Sequence, residues 1–395
     1  MLQAPDTSDQ AVTPRLRIAA LDRARTCITL LVLLHHSVVN YTHFGSGDRA
    51  RWLGFDLVVL FNDSFFMACM FLLSGLFVRD SLARRGSMNY LASRAWRLGV
   101  PYLVSIFVLM PIAYYPTFLR YHLPGTTDFN FFHFWWHTLT IGPWPSGPAW
   151  FLWVLLAFDA VAAGTWLVAP RAIDGFGNLV NRLRYRPGVA FAIFSVFSVL
   201  VYLPLRLVYG DAAWLEPGHF PLPIQTSRIL LYSGYFLIGV GIGATDLRAG
   251  LLAQNGEWAS RWKVWLGFAA LFYAAILLLV YAHHNWIADF DSPPLSWRTA
   301  YGLAFALYSA AMAFAEPALF LRFAKSPLKL LDAIRPSAYG IFLVHYIFII
   351  WLQYALYDPV LPAFVKFAIV FAGTLVLSWG LVVLLRKIPL IARMI

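Results

Sequence analysis

Charged residues are scarce in this sequence of 395 residues, making up only 12% of the chain. That share is about half of what soluble proteins carry. Hydrophobic residues make up 60%, and the mean hydropathy is +0.67. Length alone would suggest two or three soluble domains, but apolar runs long enough to cross a bilayer overrule that expectation. The composition therefore excludes a soluble globular protein.

Cysteine is nearly absent as well. The chain has two, Cys27 and Cys69, and both stand inside apolar runs. No cluster of Cys and His residues has the spacing of a zinc site. We interpret both cysteines as small packing residues and expect neither a disulfide nor a bound metal.

The sequence also lacks an apolar segment close to Met1. Residues 1–20 are largely polar, which argues against a cleaved signal peptide. We expect these residues to form a cytoplasmic tail. The first hydrophobic helix would then serve as its own insertion signal.

The rest of the chain is dominated by ten apolar segments, each close to the roughly 20 residues that a membrane helix needs. They cover about 24–42, 57–78, 98–118, 148–168, 188–208, 229–246, 263–283, 299–321, 337–357 and 363–385. No period repeats, and no second, soluble domain is evident. The sequence predicts an all-α, polytopic membrane bundle of about ten transmembrane helices.

Small residues mark places where helices can approach closely. The sixth span is the shortest and contains Gly234, Gly239, Gly241 and Gly243. The pair Ser74–Gly75 in the second span has the same character. Glycines at such positions allow a neighbouring helix, or a ligand, to come near the backbone.

The formal net charge of +11 raises the question of a nucleic-acid partner. With the N-terminus placed in the cytoplasm, most of the 30 Lys and Arg residues fall on the cytoplasmic side. The positive-inside rule then predicts cytoplasmic termini at both ends and an even number of spans. Membrane orientation explains the charge, so no nucleic-acid partner is predicted.

The most informative single stretch is the first span, which carries Arg25 and His36. Eleven steps of about 100° each bring the two residues onto one helix face, roughly 16 Å apart. His35 points elsewhere, and we interpret it as structural. His36 lies about halfway through the predicted span, where an ionisable group is usually functional. The alternative is a histidine hydrogen-bonded to a neighbouring helix.

A second basic pair, Arg94 and Arg97, stands three residues apart and therefore on one helix face. Paired guanidinium groups suit the geometry of a phosphate. The alternative is ordinary positive-inside charge, and we accept that interpretation for Arg79, Arg84 and Arg85.

The segments on the other side, about 119–147 and 209–228, are rich in Trp, Phe, Tyr and His. Such residues form an interfacial belt in membrane proteins generally. They would also offer rings on which sugars stack. We favour the belt for most of them.

Several short motifs occur in an order that is specific as a set. They are L-D-x-x-R at 21–25, Arg-x10-His ending at 36, F-x-x-S-G at 71–75, R-x-x-R at 94–97 before Pro101, W-F-L at 150–152 and S-x7-H at 337–345. Over nearly the whole chain this pattern resembles the acyltransferase family 3 membrane proteins. Within that family the chain is most similar to the glucan biosynthesis protein C group, through its ten spans, F-N-D at 61–63 and K-I-P-L at 387–390. Pro148-Ala149 stands where that group has His-Leu.

The resemblance implies transfer of an acyl group, succinyl or acetyl, from cytoplasmic acyl-CoA to a periplasmic or cell-surface glycan. It implies a membrane domain over residues 21–388, a cytoplasmic tail at 389–395 and an inner-membrane location. The implied partners are acyl-CoA, a carbohydrate and the lipid bilayer, with a homo-oligomer left open. No permanently bound cofactor is expected.

The resemblance also implies roles for particular residues. Arg25, Arg94 and Arg97 would hold the nucleotide phosphates, with the pantetheine arm running along the bundle. His36 would act as general base on a sugar hydroxyl, or would itself be acylated. Asp63 would orient His36 or, alternatively, be a solvated acid at a helix start.

Four further residues are candidates for substrate binding. Ser74, Tyr339 or a tryptophan N–H would donate to the oxyanion of the tetrahedral intermediate. Trp150 would contact substrate. His345 would line the same cavity as His36 or serve helix packing instead.

Two other functions compete with an enzyme. One is a polytopic transporter, and the other is a non-catalytic subunit of a polysaccharide export system. Secondary transporters usually show inverted repeats and, when coupled to protons, acids in mid-membrane. Here we see no repeat and few acids in the spans beyond Asp63 and Asp159, so the enzyme is favoured.

Overall fold

The computed structural model describes residues 19–45, 47–121, 130–142, 146–211, 213–215, 223–247, 250–287, 289 and 292–395. Nearly all of the predicted tail 1–20 lies outside these residues. Helices make up 81% of the structure. The prediction of an all-α bundle is confirmed.

The helices follow one another along the whole chain. The first nine are α1 (Ala19–Val38), α2 (Leu53–Asp63), α3 (Phe66–Gly75), α4 (Val78–Arg94), α5 (Val100–Val104), α6 (Met110–Tyr121), α7 (Phe131–Thr140), α8 (Trp150–Val168) and α9 (Pro170–Asn181). The others are α10 (Pro187–Tyr209), α11 (Ile229–Gly243), α12 (Glu257–Ser260), α13 (Trp262–Trp286), α14 (Leu295–Phe323), α15 (Lys329–Ile334), α16 (Ala338–Ala355), α17 (Ala363–Leu385) and α18 (Pro389–Ala392). Strands β1 (Trp214–Leu215) and β2 (Ile224–Gln225) pair antiparallel in a short hairpin.

Eight of these helices, or helices in direct continuation, are long and apolar enough to cross a membrane. The other two predicted spans coincide with α1 and α11. α1 carries three charged residues near its start, and α11 has only 15 residues. The chain is therefore a multi-pass membrane protein. We call the end of the bundle at which α1 begins the basic face, and the other end the opposite face.

A buried ion pair sets the rotation of α1. Arg23 donates from Nε and Nη2 to the Asp332 carboxylate, at 2.8 and 2.7 Å, and from Nη1 to the carbonyl of Ala324 at 2.6 Å. Two residues along a helix turn the side chain by about 200°. Arg25 therefore points away from α15 and toward the opposite side of α1.

Helices α3 and α11 touch backbone to backbone through glycines. A Cβ atom on Gly239 would overlap the carbonyl oxygen of Leu72, and one on Gly75 would overlap that of Phe236. Gly243 is equally close to α3. The close helix contacts predicted at these glycines are confirmed.

Changing Gly239 to alanine should destabilise the bundle by about 1–3 kcal/mol, because the added methyl group must push α3 and α11 apart. The measurement is the temperature at which half of the detergent-solubilised protein leaves the monodisperse peak after heating. Gly164→Ala in α8 is the matched control, since a Cβ there meets nothing within 4 Å. Equal stability of the two variants would contradict this packing.

Between α3 and the third span, the chain forms a helix at the basic face that is bent rather than straight. α4 is kinked at Gly86, whose φ of 71° lies in the left-handed region. Two π-helical segments, Ala95–Gly99 and Ser105–Leu109, then lead through α5 into α6. These irregularities bring the arginines of α4 around one space.

The predicted tail 389–395 reaches the bundle through its last residue. Its first residues form α18, and the side chain of Ile395 lies beside Gly340 of α16.

Candidate functional site

A cavity of about 1100 Å³ opens among the helix ends at the basic face. It is bounded by α1, α3, α4, α8, α16 and the segment after α11. Five predicted site residues line it together: Arg25, Ser74, Arg94, Arg97 and Tyr339. Residues up to 314 positions apart in sequence thus meet at one site.

The cavity has a strong excess of positive charge. Its lining contains eight arginines, namely Arg25, Arg79, Arg84, Arg85, Arg94, Arg97, Arg335 and Arg386. Three aspartates line it with them among the described residues, Asp22, Asp80 and Asp246. Behind the lining, Asp159, Asp174 and Asp332 pair with Arg94, Arg79 and Arg335, so the excess of positive charge comes mainly from the other arginines. A concave site with such an imbalance attracts a ligand with several negative charges, and guanidinium groups match phosphate oxygens in pairs.

Arg94 is held in place by a buried acid. Its Nε lies 3.1 Å from Oδ2 of Asp159, which is fully buried in α8. The Tyr90 hydroxyl donates to the other oxygen of the same carboxylate and accepts from Arg94 Nε at 3.2 Å. Asp159 therefore orients the guanidinium group.

Arg25 and Arg97, unlike Arg94, are not held by an ion pair among the described residues. Within the described ranges, no carboxylate forms an ion pair with either guanidinium. Arg25 lies over the ring of Phe77 at 5.9 Å. Its charge is attracted by that of Asp22 and repelled by those of Arg94 and Arg97. With Asp22 and Asp159 beside three arginines, one positive charge remains uncompensated among these residues, which favours binding of an anion.

Arg97 sits inside the π-helical segment Ala95–Gly99. Spacing alone placed Arg94 and Arg97 on one face of a regular α-helix, but a π-helical turn shifts that register. Both side chains nevertheless line the cavity. π-Helical turns are frequent at functional sites.

Two of the candidate oxyanion donors, Ser74 and Tyr339, already use their hydroxyl protons in hydrogen bonds. Ser74 donates its hydroxyl to the carbonyl of Met70 at 2.7 Å, and Tyr339 donates to the backbone carbonyl of Arg97. Both lie in the cavity wall, yet in this state neither has a free hydrogen to offer an oxyanion. The predicted donor role does not agree with this geometry.

His36 does not line this cavity. On α1 the lining ends at Thr29, two turns before His36, and the rings of Phe151 and Phe342 meet at 5.8 Å at the deep end. α1 also ends at Val38, so His36 lies in its last turn rather than halfway along a helix. The expected single open passage from Arg25 to His36 is therefore interrupted by an aromatic pair.

His36 belongs instead to a cluster of rings beyond that pair. Its ring centroid lies 5.5 Å from His345, 5.3 Å from Tyr346 and 5.4 Å from His35. His345 in turn contacts Phe342 at 5.9 Å. The cluster is thus separated from the cavity by little more than one side chain.

The hydrogen bond of His345 determines its tautomer. Nδ1 lies 2.7 Å from the carbonyl oxygen of Phe342 and must donate to it, so Nε2 of the neutral ring carries the lone pair. Nε2 is buried and has no partner in the described part of the chain. The imidazole rings of His36 and His345 therefore lie side by side, and the free nitrogen of His345 could exchange a proton with its neighbour.

Asp63 is not the partner of His36. Its carboxylate is bound by Arg228, with Oδ2 2.6 Å from Nη2 and Oδ1 3.0 Å from Nη1. No hydrogen bond joins it to His36 among the described residues. A charged guanidinium outcompetes a neutral imidazole for a carboxylate, so the predicted orienting role is wrong for this geometry.

Trp150 also lies away from the cavity. It stacks on Tyr232 at 5.7 Å and meets Trp214 edge to face at 5.9 Å. Trp214 belongs to the β1–β2 hairpin at the opposite face. Trp150 thus joins that face and not the arginine cavity.

Several residues of the site were not predicted from the sequence. The sequence analysis interpreted Arg79, Arg84 and Arg85 as ordinary positive-inside charge, although all three line the cavity. Glu316 was not considered either. It is a buried acid in α14 whose two carboxylate oxygens have no partner within the described residues. The glutamate itself, inside the predicted span 299–321, was the signal available. Among the described residues, no group of three or more His, Cys, Asp or Glu side chains is arranged to hold a metal ion.

Comparison with protein families identifies the family of this chain. The family model described as an acyltransferase domain, acyltransferase family 3, matches residues 18–383, nearly the whole chain. No curated protein matches the sequence.

Proposed function

Because this chain belongs to acyltransferase family 3 and is a membrane acyltransferase, we propose that its arginine cavity binds the nucleotide end of acyl-CoA. We propose further that His36 serves the transfer of the acyl group to a hydroxyl group of a glycan. The observation that carries the donor is the cavity with eight arginines and three aspartates. Its volume is near the upper end for ligand pockets, as a nucleotide requires.

The charge pattern supports phosphate as the recognised group. Arg94 is oriented by Asp159, whereas Arg25 and Arg97 keep donors for a ligand. Phosphates of the nucleotide would replace the missing counter-charge among these three residues. A cytoplasmic donor also agrees with the predicted orientation, in which the basic face is cytoplasmic.

The distance along α1 supports the path of the acyl arm. Arg25 and His36 are separated by eleven residues, roughly 16 Å of helix rise. A pantetheine arm held at Arg25 would extend toward the histidine cluster along this direction. The rings of Phe151 and Phe342 stand in the way and would have to part for the thioester to pass.

The reaction then needs one base and one exchange of bonds. The acceptor oxygen attacks the thioester carbonyl carbon, a C–O bond forms, and the C–S bond breaks. His36 takes the proton of the hydroxyl group and returns it to the departing thiolate. In the covalent alternative, a ring nitrogen of His36 attacks the thioester carbonyl carbon, the C–S bond breaks, and the CoA thiolate leaves. The hydroxyl oxygen then attacks the acyl group, the C–N bond breaks, and the hydroxyl proton passes to the thiolate.

The acyl group and the acceptor follow from the family resemblance alone. The similarity to the glucan biosynthesis protein C group supports a succinyl or acetyl donor and a periplasmic glucan as acceptor. It also supports placement in the inner membrane with both termini cytoplasmic. Transfer of label from acyl-CoA to purified glycan in detergent tests this directly, because a transporter would need sealed vesicles and a scaffold would transfer nothing.

Replacing Arg97 by alanine should raise the KM for acyl-CoA about 10- to 100-fold, the effect of losing one charge-assisted hydrogen bond. The KM for the glycan should stay unchanged. Both constants come from the same label-transfer assay.

Arg182→Ala provides the control, since Arg182 is exposed near the end of α9 at the same face and does not line the cavity. A raised KM for the glycan alone in Arg97→Ala would show that the cavity binds the acceptor instead.

A further inference from the structure

The second span is interrupted in mid-course. α2 ends at Asp63 and α3 begins at Phe66, with Phe65 at φ −136° and ψ −31°, outside helical values. Within a membrane, interrupted helices occur where the backbone is buried in protein or lines a water-filled space. In transporters, such breaks are where small molecules bind.

The break is occupied by an ion pair that is open on one side. Arg228 is 5% exposed, and it grips both the carboxylate and the backbone carbonyl of Asp63. The side chain of Asp63 is 41% exposed, and each carboxylate oxygen accepts one hydrogen bond from Arg228, which leaves lone pairs for further donors. The pair is electrically neutral as a unit, and its open edge is a hydrogen-bond acceptor.

Aromatic rings stand next to this pair. Arg228 lies beside Tyr232, Tyr232 stacks on Trp150, and Trp150 meets Trp214 of the hairpin. The Trp214 side chain is 43% exposed. Flat apolar rings beside hydrogen-bonding groups are the usual lining of a site for a small polar ligand.

Within the residues that the structure describes, the two arginines nearest the break are each paired with a carboxylate, in contrast to most of those in the cavity at the basic face. Arg228 pairs with Asp63, and the neighbouring Arg206 pairs with Asp211 at 2.9 Å. Arg298, beside Arg206, donates to the backbone carbonyl of Leu207. The guanidinium groups next to Asp63 are therefore already engaged and offer little to an anion. A neutral ligand rich in hydroxyl groups fits this cluster best.

His35 connects this cluster to the proposed reacting group. Its charge interacts with those of Asp63 and Arg228, and its ring lies edge to face with His36 at 5.4 Å. Nδ1 of His35 is buried without a partner among the described residues. A ligand held at Asp63 would therefore lie beside the histidine cluster, on the side away from the arginine cavity.

We propose that Asp63, Arg228, Trp150 and Trp214 form a subsite for a neutral, polyhydroxylated acceptor. The subsite holds the acceptor so that one of its hydroxyl groups is directed to His36. This inference rests on the proposed function and deepens it by naming the acceptor's position and charge. A sugar hydroxyl group donates to the open edge of Asp63, and the C–H face of the ring packs on indole. Donor and acceptor then approach His36 from opposite faces of the bundle.

The test measures the KM of a neutral glucose trisaccharide and of acetyl-CoA in detergent, with Trp214→Ala and Asp63→Asn. Both variants should raise the KM of the trisaccharide about tenfold and leave that of acetyl-CoA within about twofold. Trp214 is exposed, so its variant should fold even where Asp63→Asn, which leaves Arg228 unpaired, does not. Trp286→Ala, an exposed indole at the end of α13, is the matched control.

Direct binding separates this proposal from the proposed function. Saturation-transfer NMR should detect the trisaccharide on the wild type and not on Trp214→Ala, while acetyl-CoA raises the melting temperature of both. An unchanged trisaccharide KM, tighter binding of a uronate trisaccharide, or no trisaccharide binding to the wild type would overturn the subsite. Failure of acetyl-CoA to bind or to transfer label would instead refute the proposed function.

Discussion

Replacing His36 by alanine should lower the rate of acyl transfer by about 10²–10⁴-fold, the range that general acid–base catalysis contributes. Acyl-CoA should still bind, because His36 lies beyond the cavity that holds the arginines. The expected signature is therefore a loss of kcat with little change in the KM for acyl-CoA. Label transfer in detergent gives both constants, and a thermal shift with acyl-CoA checks that the variant is folded.

His284→Ala is the matched control, since that exposed histidine lies near the end of α13. Full activity of His36→Ala would exclude both the base and the carrier role. Incubating the wild type with labelled acetyl-CoA and no acceptor tells the two roles apart. Only an acyl carrier retains label that hydroxylamine releases.

Replacing Lys366 by methionine should destabilise the protein by about 3–5 kcal/mol, the cost of leaving a buried charge without its partner. Lys366 Nζ lies 2.9 and 3.1 Å from the two carboxylate oxygens of Asp48, and both side chains are at most 3% exposed. The pair ties the segment after α1 to the first turn of α17. The measurement is again the temperature of half-loss of the monodisperse peak.

A double variant makes this prediction sharper. Adding Asp48→Ala to Lys366→Met removes the orphaned charge and should restore more than half of the lost stability, because apolar replacements of a buried pair are often neutral. Lys387→Met, at an exposed lysine, should have no effect. A double variant less stable than Lys366→Met would contradict the cost of an orphaned charge and would show that Asp48 stabilises the segment through its other contacts, such as the hydrogen bond from the Ala50 amide.

Local features of the fold were predictable because they depend on local composition. Apolar runs of bilayer length located the helices, and the glycines of α11 predicted its close contact with α3. The interruption at Ser64 and Phe65 was not predicted, although the polar residues Asn62, Asp63 and Ser64 interrupt the apolar run at this point. The π-helical segment around Arg97 has no sequence pattern of its own either.

Only some of the arginines that line the cavity were predicted from the sequence as site residues. Arg94 and Arg97 stood out by their spacing, whereas Arg335 and Arg386 resembled ordinary basic residues at helix ends. Only the packing of α16 and α17 against α1 brings the latter two to the same space. A statistical rule on charge orientation assigns a side of the membrane and says nothing about where on that side a residue lies.

The partner of Asp63 shows the same limit. Depth in the membrane suggested His36, but Arg228, 165 residues away in sequence, reaches the carboxylate first. The sequence pattern allows either His36 or Arg228 as the partner of Asp63. The choice depends on how α2 and α11 are rotated against each other, which one sequence does not reveal.

The contact between Phe151 and Phe342 has a consequence for the permeability of the membrane. A cavity that reaches Thr29 leaves a thinner apolar layer beneath it, and polar residues approach from the other side at the break before α3. The two rings and the histidines behind them belong to that layer. If acyl chains pass between the rings, as we propose, rings that part for each chain would leave no permanent path for protons.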